Sequence, residues 1–459
     1  MAKHIEVGEI LELTIHGLGH AGEGVGRHEN LAVFVPDVLP GERVRISITQ
    51  VKKTYARGKV KEILHPAPYR VVPQCPASHQ CGGCQLQHLN YQAQLAQKRE
   101  MVQAALTRLG GLGGVEVNPT LGMADPWHYR NKIHLQVMQE AGRVKLGFYA
   151  EGSYRLAAGP AQQACLLVDK QINQVAAVLE ELVNQHRLPP YHWQKQTGLL
   201  RHVIFRRGFH TGEIMVVLVT SGAPWPAAGE FAKAVAARHP AVVSVIRNIN
   251  NSPERVILGE KNLLLAGREY ITDYLMGLQF KISATSFYQV NPRQTEVLYN
   301  KVLEFANLQG QETVVDAYCG IGTIANCLAP HARRVLGMEI VPSAVADAKA
   351  NALANGLNNT EFKLGAVEKL LPQMVAGGLQ PDLVVLDPPR KGCAGEVLEA
   401  VSRAGVPRVI YVSCDPATLA RDLGILDNLG YRTLQVQPVD MFPWTSHVEC
   451  VVLMSRVEK

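Results

Sequence analysis

The sequence of 459 residues predicts an α/β protein. A doubly wound, mostly parallel sheet fills the last third. A small β-barrel stands at the start, and a mixed α+β segment lies between them. Three observations carry this. From about residue 280, apolar runs (TVVDAYCG, RRVLGMEI, TEFKL, PDLVVLDPP, RVIYVSCD) alternate with helical stretches, as buried parallel strands do. Residues 1–66 hold about five short alternating runs punctuated by glycine, the spacing of a small closed barrel. Hydrophobic residues make up 47%, charged residues 19% and aromatics 6%. That composition excludes a disordered chain, a collagen and a small disulfide scaffold.

In chain order, the barrel comes first, in EVGEILELTIHGLGHAGEGVGR and LAVFVPDVLPGERVRISITQVKKTYARGKVKEIL. Its second part contains Arg43, Arg45, Lys52, Lys53, Arg57, Lys59 and Lys61 with no acid between them. A one-signed run of this kind suits a polyanion, although lysines on a strand edge also keep sheets apart. HPAPYRVVPQ (65–74) reads as a linker. Three cysteines follow within 75–84, then a long helical pattern over Tyr91–Leu109. The central segment, 67–280, mixes strands (Ile133–Val137, Ile214–Val219, Val242–Ile246) with helices such as Lys170–Gln185. Helix 91–110 is a candidate to pack on the last domain, 281–459. The central segment has little chemistry of its own beyond scattered cations: Arg130, Lys132, Arg201, Arg206 and Arg207. LQVQPVDMFPWTSHVECVVLMSR closes the chain as two further strands in a hairpin, for about seven strands in the final sheet.

Forty-six Lys and Arg against 40 Asp and Glu give a net charge of +6, compatible with nucleic acid. No apolar run reaches the ~20 residues of a membrane helix. The first residues, MAKHIEVGEI, carry charges where a signal peptide needs an apolar stretch. The expectation is a cytoplasmic protein with no membrane partner. Nine cysteines in such a compartment suggest metal binding or catalysis rather than disulfides.

Ligands of doubly wound sheets sit beyond the carboxyl ends of the strands, where the strand order reverses. The first strand of the last domain ends in Asp316-Ala317-Tyr318-Cys319-Gly320-Ile321-Gly322-Thr323. The glycines allow close approach of backbone to ligand. The second strand ends in Glu339, an acid placed to accept ribose hydroxyls. There is neither GxGxxG nor GxxxxGK, so a single nucleoside cofactor, S-adenosylmethionine, is favoured over a dinucleotide or ATP. The fourth strand ends in Asp387-Pro388-Pro389-Arg390, a rigid turn that presents Asp387 to the crevice. The fifth ends in Ser413-Cys414-Asp415-Pro416. Cys319 and Cys327 read as small core residues. Cys414, beside Asp387 and followed by an Asp-Pro turn, reads as a nucleophile.

These pieces together resemble a known family. SFYQVN (286–291), DAYCGIGT (316–323), Glu339, LDPPRKG (386–392), SCDP (413–416) and HVE (447–449) are similar to the Rossmann-like class I catalytic domain of S-adenosylmethionine-dependent RNA uracil-5-methyltransferases. The first 66 residues resemble the TRAM domain, an OB-like RNA-binding barrel. The resemblance implies Cys414 as the thiolate that adds to C6 of uracil and Glu449 as the base that removes the C5 proton. It implies Gln289, Tyr318, Glu339 and Asp387 as cofactor contacts. Thr323 and Ala366 depart from the polar side chains common there. His447 should share a sheet face with Glu449 if both lie on the last strand. The subgroup it is most similar to methylates uridine in 23S ribosomal RNA. The expected partner is therefore ribosomal RNA at a loop or single-stranded uridine, flipped from its stack, with no obligatory protein partner. Transfer RNA is the alternative, set lower because its enzymes were expected to lack the barrel and the cysteines. A cytosine-5 enzyme and a non-catalytic iron–sulfur RNA-binding protein are further readings.

Cys75-x5-Cys81-x2-Cys84, with Cys165 in PAQQACLLVD (160–169), forms the remaining pattern. The trio alone suits a zinc knuckle. Four thiolates with one distant member suit a [4Fe-4S] cluster, which the subgroup also carries. The expectation is a structural [4Fe-4S] cluster that ties the linker to the central segment.

Overall fold

The computed structural model describes residues 5–159, 163–252, 254 and 256–457. Pro160, Ala161 and Gln162 of the PAQQACLLVD stretch lie outside the described residues.

Five strands close a barrel: β1 (Ile10–Leu18), β2 (Gly24–His28), β3 (Leu31–Val35), β4 (Arg43–Val51) and β5 (Tyr55–His65), in the order β1-β2-β3-β5-β4. Alternation places Leu13, Ile15, Val33, Val35, Val44, Ile46 and Ile48 in its core. The sequence run free of acid is not free of acids in space. Arg43 and Arg45 pair with Glu12, Arg45 also with Glu62, and Arg57 with Glu23. The segment after the barrel is pinned rather than loose. Buried Glu42 accepts from Leu39 N (2.8 Å), Ala67 N (3.1 Å) and Arg70 Nε (2.6 Å). Helix α1 (Tyr91–Leu109) follows, with the Asn90 side chain capping Ala93 N at 2.9 Å.

The central sheet contains β6 (Lys132–Glu140), β7 (Arg143–Tyr149), β8 (Leu156–Ala158), β9 (Leu200–Arg207), β10 (Ile214–Thr220), β11 (Val242–Ile249) and β12 (Lys261–Gly267), in the order β12-β11-β10-β9-β6-β7-β8. Only β10 and β11 run parallel among these pairs, joined through α3 (Ala228–Arg238). Helix α2 (Lys170–Gln185) and α3 cover one face, burying Ile133, Leu135, Val203 and Phe205.

A hairpin, β13 (Tyr270–Leu275) and β14 (Leu278–Ser283), leads into the last sheet. Residue 280, the boundary expected from sequence, lies within β14, and Phe280 packs into the core under that sheet. Next come α4 (Pro292–Ala306), β15 (Thr313–Ala317), α5 (Thr323–Leu328), β16 (Arg334–Glu339), α6 (Pro342–Ala354), β17 (Thr360–Leu364) and α7 (Val367–Ala376). The chain continues through β18 (Leu383–Leu386), α8 (Gly395–Arg403), β19 (Arg408–Ser413), α9 (Pro416–Asn428), β20 (Tyr431–Val439) and β21 (Glu449–Arg456). The order is β17-β16-β15-β18-β19-β21-β20. Strands β15 to β19 are parallel, and β21 inserts antiparallel between β19 and β20. The sheet is therefore Rossmann-like, preceded by an OB-like barrel and a mixed α+β segment. The order reverses at β15, between β16 and β18, which fixes the crevice. Helix α1 packs Val102 and Leu106 into the core shared with α9 and β20. Among the described residues, no helix is long and apolar enough to cross a membrane.

Candidate active site

The loop after β15 is built for close approach. Tyr318 (φ 68°), Gly320 (φ 54°) and Gly322 (φ 79°) take left-handed conformations, and Gly322 caps α5. Asp316 is fully buried, and its Oδ2 accepts from Ala325 N at 2.8 Å. Its other oxygen, Oδ1, has no partner among the described residues. Burial, reinforced by Asp387, pushes Asp316 well above the ordinary carboxylate range. Glu339 at the tip of β16 holds the loop, accepting from Gly320 N (3.1 Å) and Val341 N (2.8 Å). Each carboxylate oxygen keeps a second lone pair, which leaves capacity to accept hydroxyl donors. The Tyr318 hydroxyl donates to Glu368 at 3.4 Å. Thr323 bonds Tyr299 at 2.8 Å, and Ala366 caps α7 without a side-chain bond.

Gln289 lies in the segment entering α4, with its backbone oxygen held by Asn131 Nδ2 at 3.1 Å. Arg206, buried under this segment, donates to Ser283 O (2.6 Å) and Ser286 O (2.7 Å). Asn291 caps α4 and donates to Met441 O at 3.0 Å. The loop before α4 is thus fastened to the central sheet on one side and to the β20–β21 connection on the other.

Cys414 follows the last residue of β19. Its neighbour Asp415 caps α9 through Ala417 N (2.9 Å) and Thr418 N (3.1 Å). In the β19–β21 ladder, Ser413 faces Cys450, so the next step sets Cys414 opposite Glu449. The two groups feel each other. Burial raises the Cys414 thiol to about 11, with Glu449 and Asp387 adding and Arg390 opposing. Burial raises Glu449 to about 8, with Asp387 adding and Arg390 opposing. Burial raises Asp387 to about 7. The tips of β18, β19 and β21 therefore gather one thiol and two carboxyls that hold protons near neutrality, a frequent sign of a functional site.

His447 does not lie on the strand. It sits in the connection ahead of β21, so the strand-face argument does not apply to it. Burial, with Arg390 next in effect, lowers it to about 4, and its backbone N–H donates to Thr445 Oγ1 at 3.3 Å. The electrostatic part of Arg390 was not anticipated from sequence, although LDPPRKG contains it. Nor was the clamp on the connection that carries Glu449. Lys98 and Asp440 are both fully buried and paired at 2.5 Å, and Lys98 also donates to Phe442 O at 3.1 Å. Tyr91 donates to Asp440 at 2.9 Å, and Gln94 accepts from Trp444 N at 3.1 Å. Nothing in the helical pattern of Tyr91–Leu109 marked Lys98 as buried or named its partner 342 residues away.

The cysteine expectation needs correction. Cys75, Cys81, Cys84 and Cys165 line one cavity of about 420 Å³, together with Arg130, Lys132 and His134. Among the described residues, however, no group of three or more His, Cys, Asp or Glu side chains could hold a metal ion. Metal ligation requires thiolates converging on a common centre at ~2.3 Å. Burial instead raises Cys81, Cys165 and, to about 12, Cys84, which favours neutral thiols. The expected [4Fe-4S] cluster, and the metal-binding role given to these four residues, are therefore not supported.

A doubly wound sheet with a glycine loop where the strand order reverses, and a strand-end thiol beside two carboxyls, is the architecture of an S-adenosylmethionine-dependent methyltransferase, and the barrel ahead of it points to RNA. The chain belongs to the tRNA (uracil-5-)-methyltransferase family, which matches residues 90–457, with a TRAM domain over residues 5–61. An uncharacterized RNA methyltransferase of Halalkalibacterium halodurans is 46% identical over 446 residues, 97% of each chain. One from Bacillus cereus is 44% identical over 459 residues, 100% of this chain and 99% of the relative. Among solved structures, the Pyrococcus abyssi tRNA (uracil-54, C5)-methyltransferase in complex with S-adenosyl-L-homocysteine is similar, with a TM-score of 0.77 and 27% identity. That match covers 97% of this chain and 100% of the other.

Proposed function

We propose that the protein methylates C5 of a uridine in transfer RNA through a covalent bond between Cys414 and C6 of the base. The carrying observation is the placement of Cys414 opposite Glu449 at the crevice where Asp316, Glu339 and the glycine loop would hold the nucleoside cofactor. Gln289 would hold the methionine part, Tyr318 would flank the sulfonium, and Asp387 would hold the ammonium or the uracil edge. When bound, S-adenosylmethionine supplies an electrophilic methyl group.

The rest falls to the chain. C5 of uracil is a weak nucleophile. Addition of the Cys414 thiolate to C6 forms an S–C bond and moves the ring electrons to C5 and O4. C5 then bonds the methyl, whose bond to the cofactor's sulfonium sulfur would break with the electron pair left on sulfur. Glu449 takes the C5 proton, the electron pair re-forms the C5–C6 double bond, and the Cys414 thiolate leaves. Glu449 is suited to accept that proton because burial has raised it to about 8.

The expectation of ribosomal RNA rests on the resemblance to the 23S subgroup, with transfer RNA set lower on the ground that its enzymes lack the barrel and the cysteines. The Pyrococcus abyssi relative acts on transfer RNA and aligns over 97% of this chain, so the barrel does not separate the two substrates. The test offers unmodified transfer RNA and 23S ribosomal RNA transcripts labelled with tritium at uridine C5. Tritium release and methyl incorporation from transfer RNA, lost in Cys414→Ala, support the reading. Release from the ribosomal transcript alone overturns the choice of substrate.

A further inference from the structure

Between Glu181 and Glu213, the chain carries no acid. The stretch holds Arg187, Lys195, Arg201, Arg206 and Arg207, with four histidines among them. It includes the loop between α2 and β9, which presents Tyr191, Trp193 and Lys195. The loop is ordered by its own backbone. His192 pairs with Thr197, and Pro190 with Leu200. The Arg201 guanidinium lies 4.6 Å from the Tyr191 ring centroid and 4.3 Å from that of Trp193. Arg201 is itself buried, and its guanidinium donates to Asn250 O and Ser252 O. The arginine therefore acts as a fixed pedestal. It holds a large indole that stays 38% exposed.

The pedestal connects to the active site along one sheet face. The Trp193 ring is 6.2 Å from His202, and His202 is 4.6 Å from His134. His134 and Lys132 alternate with Ile133 and Leu135, which point to the helix-covered side. His134 Nε2 and His202 Nδ1 are buried without partners among the described residues. Asn131, next to Lys132, holds the Gln289 backbone. In the β6–β9 register, Lys132 faces Arg206 and Gln136 faces His202, so the track runs about 13 Å along the strand.

We infer that this loop and sheet face form a second RNA contact, in which Trp193 stacks a nucleobase flanking the target uridine and Lys195, with the half-buried Lys132, follows the backbone. The occupant is a nucleic acid strand because the loop's exposed cations, Arg187 and Lys195, make no ion pair among the described residues and an aromatic face is offered to solvent beside them, whereas Arg201 and Arg206 are taken up by backbone oxygens and Arg207 by Asp169. Base–aromatic stacking joined to a cationic groove is how single strands are held without sequence readout. Stacking to one base and leaving the chemistry untouched should weaken KM alone. The inference rests on the proposed RNA substrate.

The test compares wild type, Trp193→Ala and Trp193→Phe on full-length transfer RNA and on the 23S transcript, using whichever the wild type methylates. Trp193→Ala should raise KM roughly five- to 150-fold with kcat unchanged. Trp193→Phe should recover most of that loss, and S-adenosylmethionine affinity should not move. An unchanged KM, or a loss confined to kcat, overturns the inference. A wild type inactive on every RNA overturns the functional reading instead, a separable outcome.

Discussion

At the scale of single residues, the proposed reaction depends on two groups losing protons. Burial raises Glu449 to about 8 and the Cys414 thiol to about 11, and Arg390 opposes both shifts. The base must be ionised to accept the C5 proton, and the thiol must be ionised to attack C6. Both requirements have the same sign, so kcat/KM should climb from pH 6 to 9 with its first inflection near 8 and no falling limb. Replacing Arg390 with Gln removes the opposing charge, so the inflection should move to higher pH. A pH–rate profile of the two proteins checks this, and an inflection that stays in place or moves down contradicts it. The sequence pointed to Cys414 and Asp387 because each follows a strand inside a short motif, and to Glu449, which opens β21, through the family resemblance alone. Arg390 stood in the same motif, but its field depends on the distances between three strand ends, which no local pattern encodes.

At the scale of elements, helix α1 matters most for the site. Its charge pattern reads as an ordinary surface helix, yet Lys98 is fully buried against Asp440. Removing one partner of a buried pair leaves an uncompensated charge, at a cost of about 3–5 kcal/mol. Lys98→Met should therefore lower stability by that order in denaturant titration. The double variant Lys98→Met, Asp440→Leu should recover much of it. If the single variant is as stable as wild type, α1 does not hold the connection to β21 in place. The strands and helices themselves were legible from periodicity. Tyr91–Leu109 and Lys170–Gln185 fall where the sequence pattern sets them. His447 was misplaced because Pro443 and the turn around Trp444 (φ 69°) delay the strand until Glu449.

At the scale of the whole molecule, barrel, central sheet and catalytic sheet meet around one crevice. His20 of the barrel comes within 4.0 Å of Asp415, and Trp444 packs against Trp127 with ring centroids 4.3 Å apart. The closed barrel and the reversed strand order were both readable from spacing. The cysteine pattern was over-read, because spacing in sequence cannot tell a shared cavity from converging ligands. The buried carboxyls also tie function to stability. Folding raises Glu449 and Asp387 above their ordinary values, so both favour the protonated folded form. That contribution is present below the ordinary carboxylate range and is lost as pH rises through about 7 to 8. Tm should fall between pH 5 and 8.5, and less steeply in Glu449→Gln. Calorimetry of both proteins checks the slope, and parallel slopes would contradict this coupling.

The covalent step is tested most directly by RNA carrying 5-fluorouridine at the target position. After addition and methylation, C5 then holds fluorine, and Glu449 finds no proton to remove. With S-adenosylmethionine present, wild-type protein should form a protein–RNA adduct that survives denaturing electrophoresis, and Cys414→Ala should form none. An adduct in Cys414→Ala, or no adduct from a wild type that methylates the ordinary RNA, would contradict a sulfur–C6 bond.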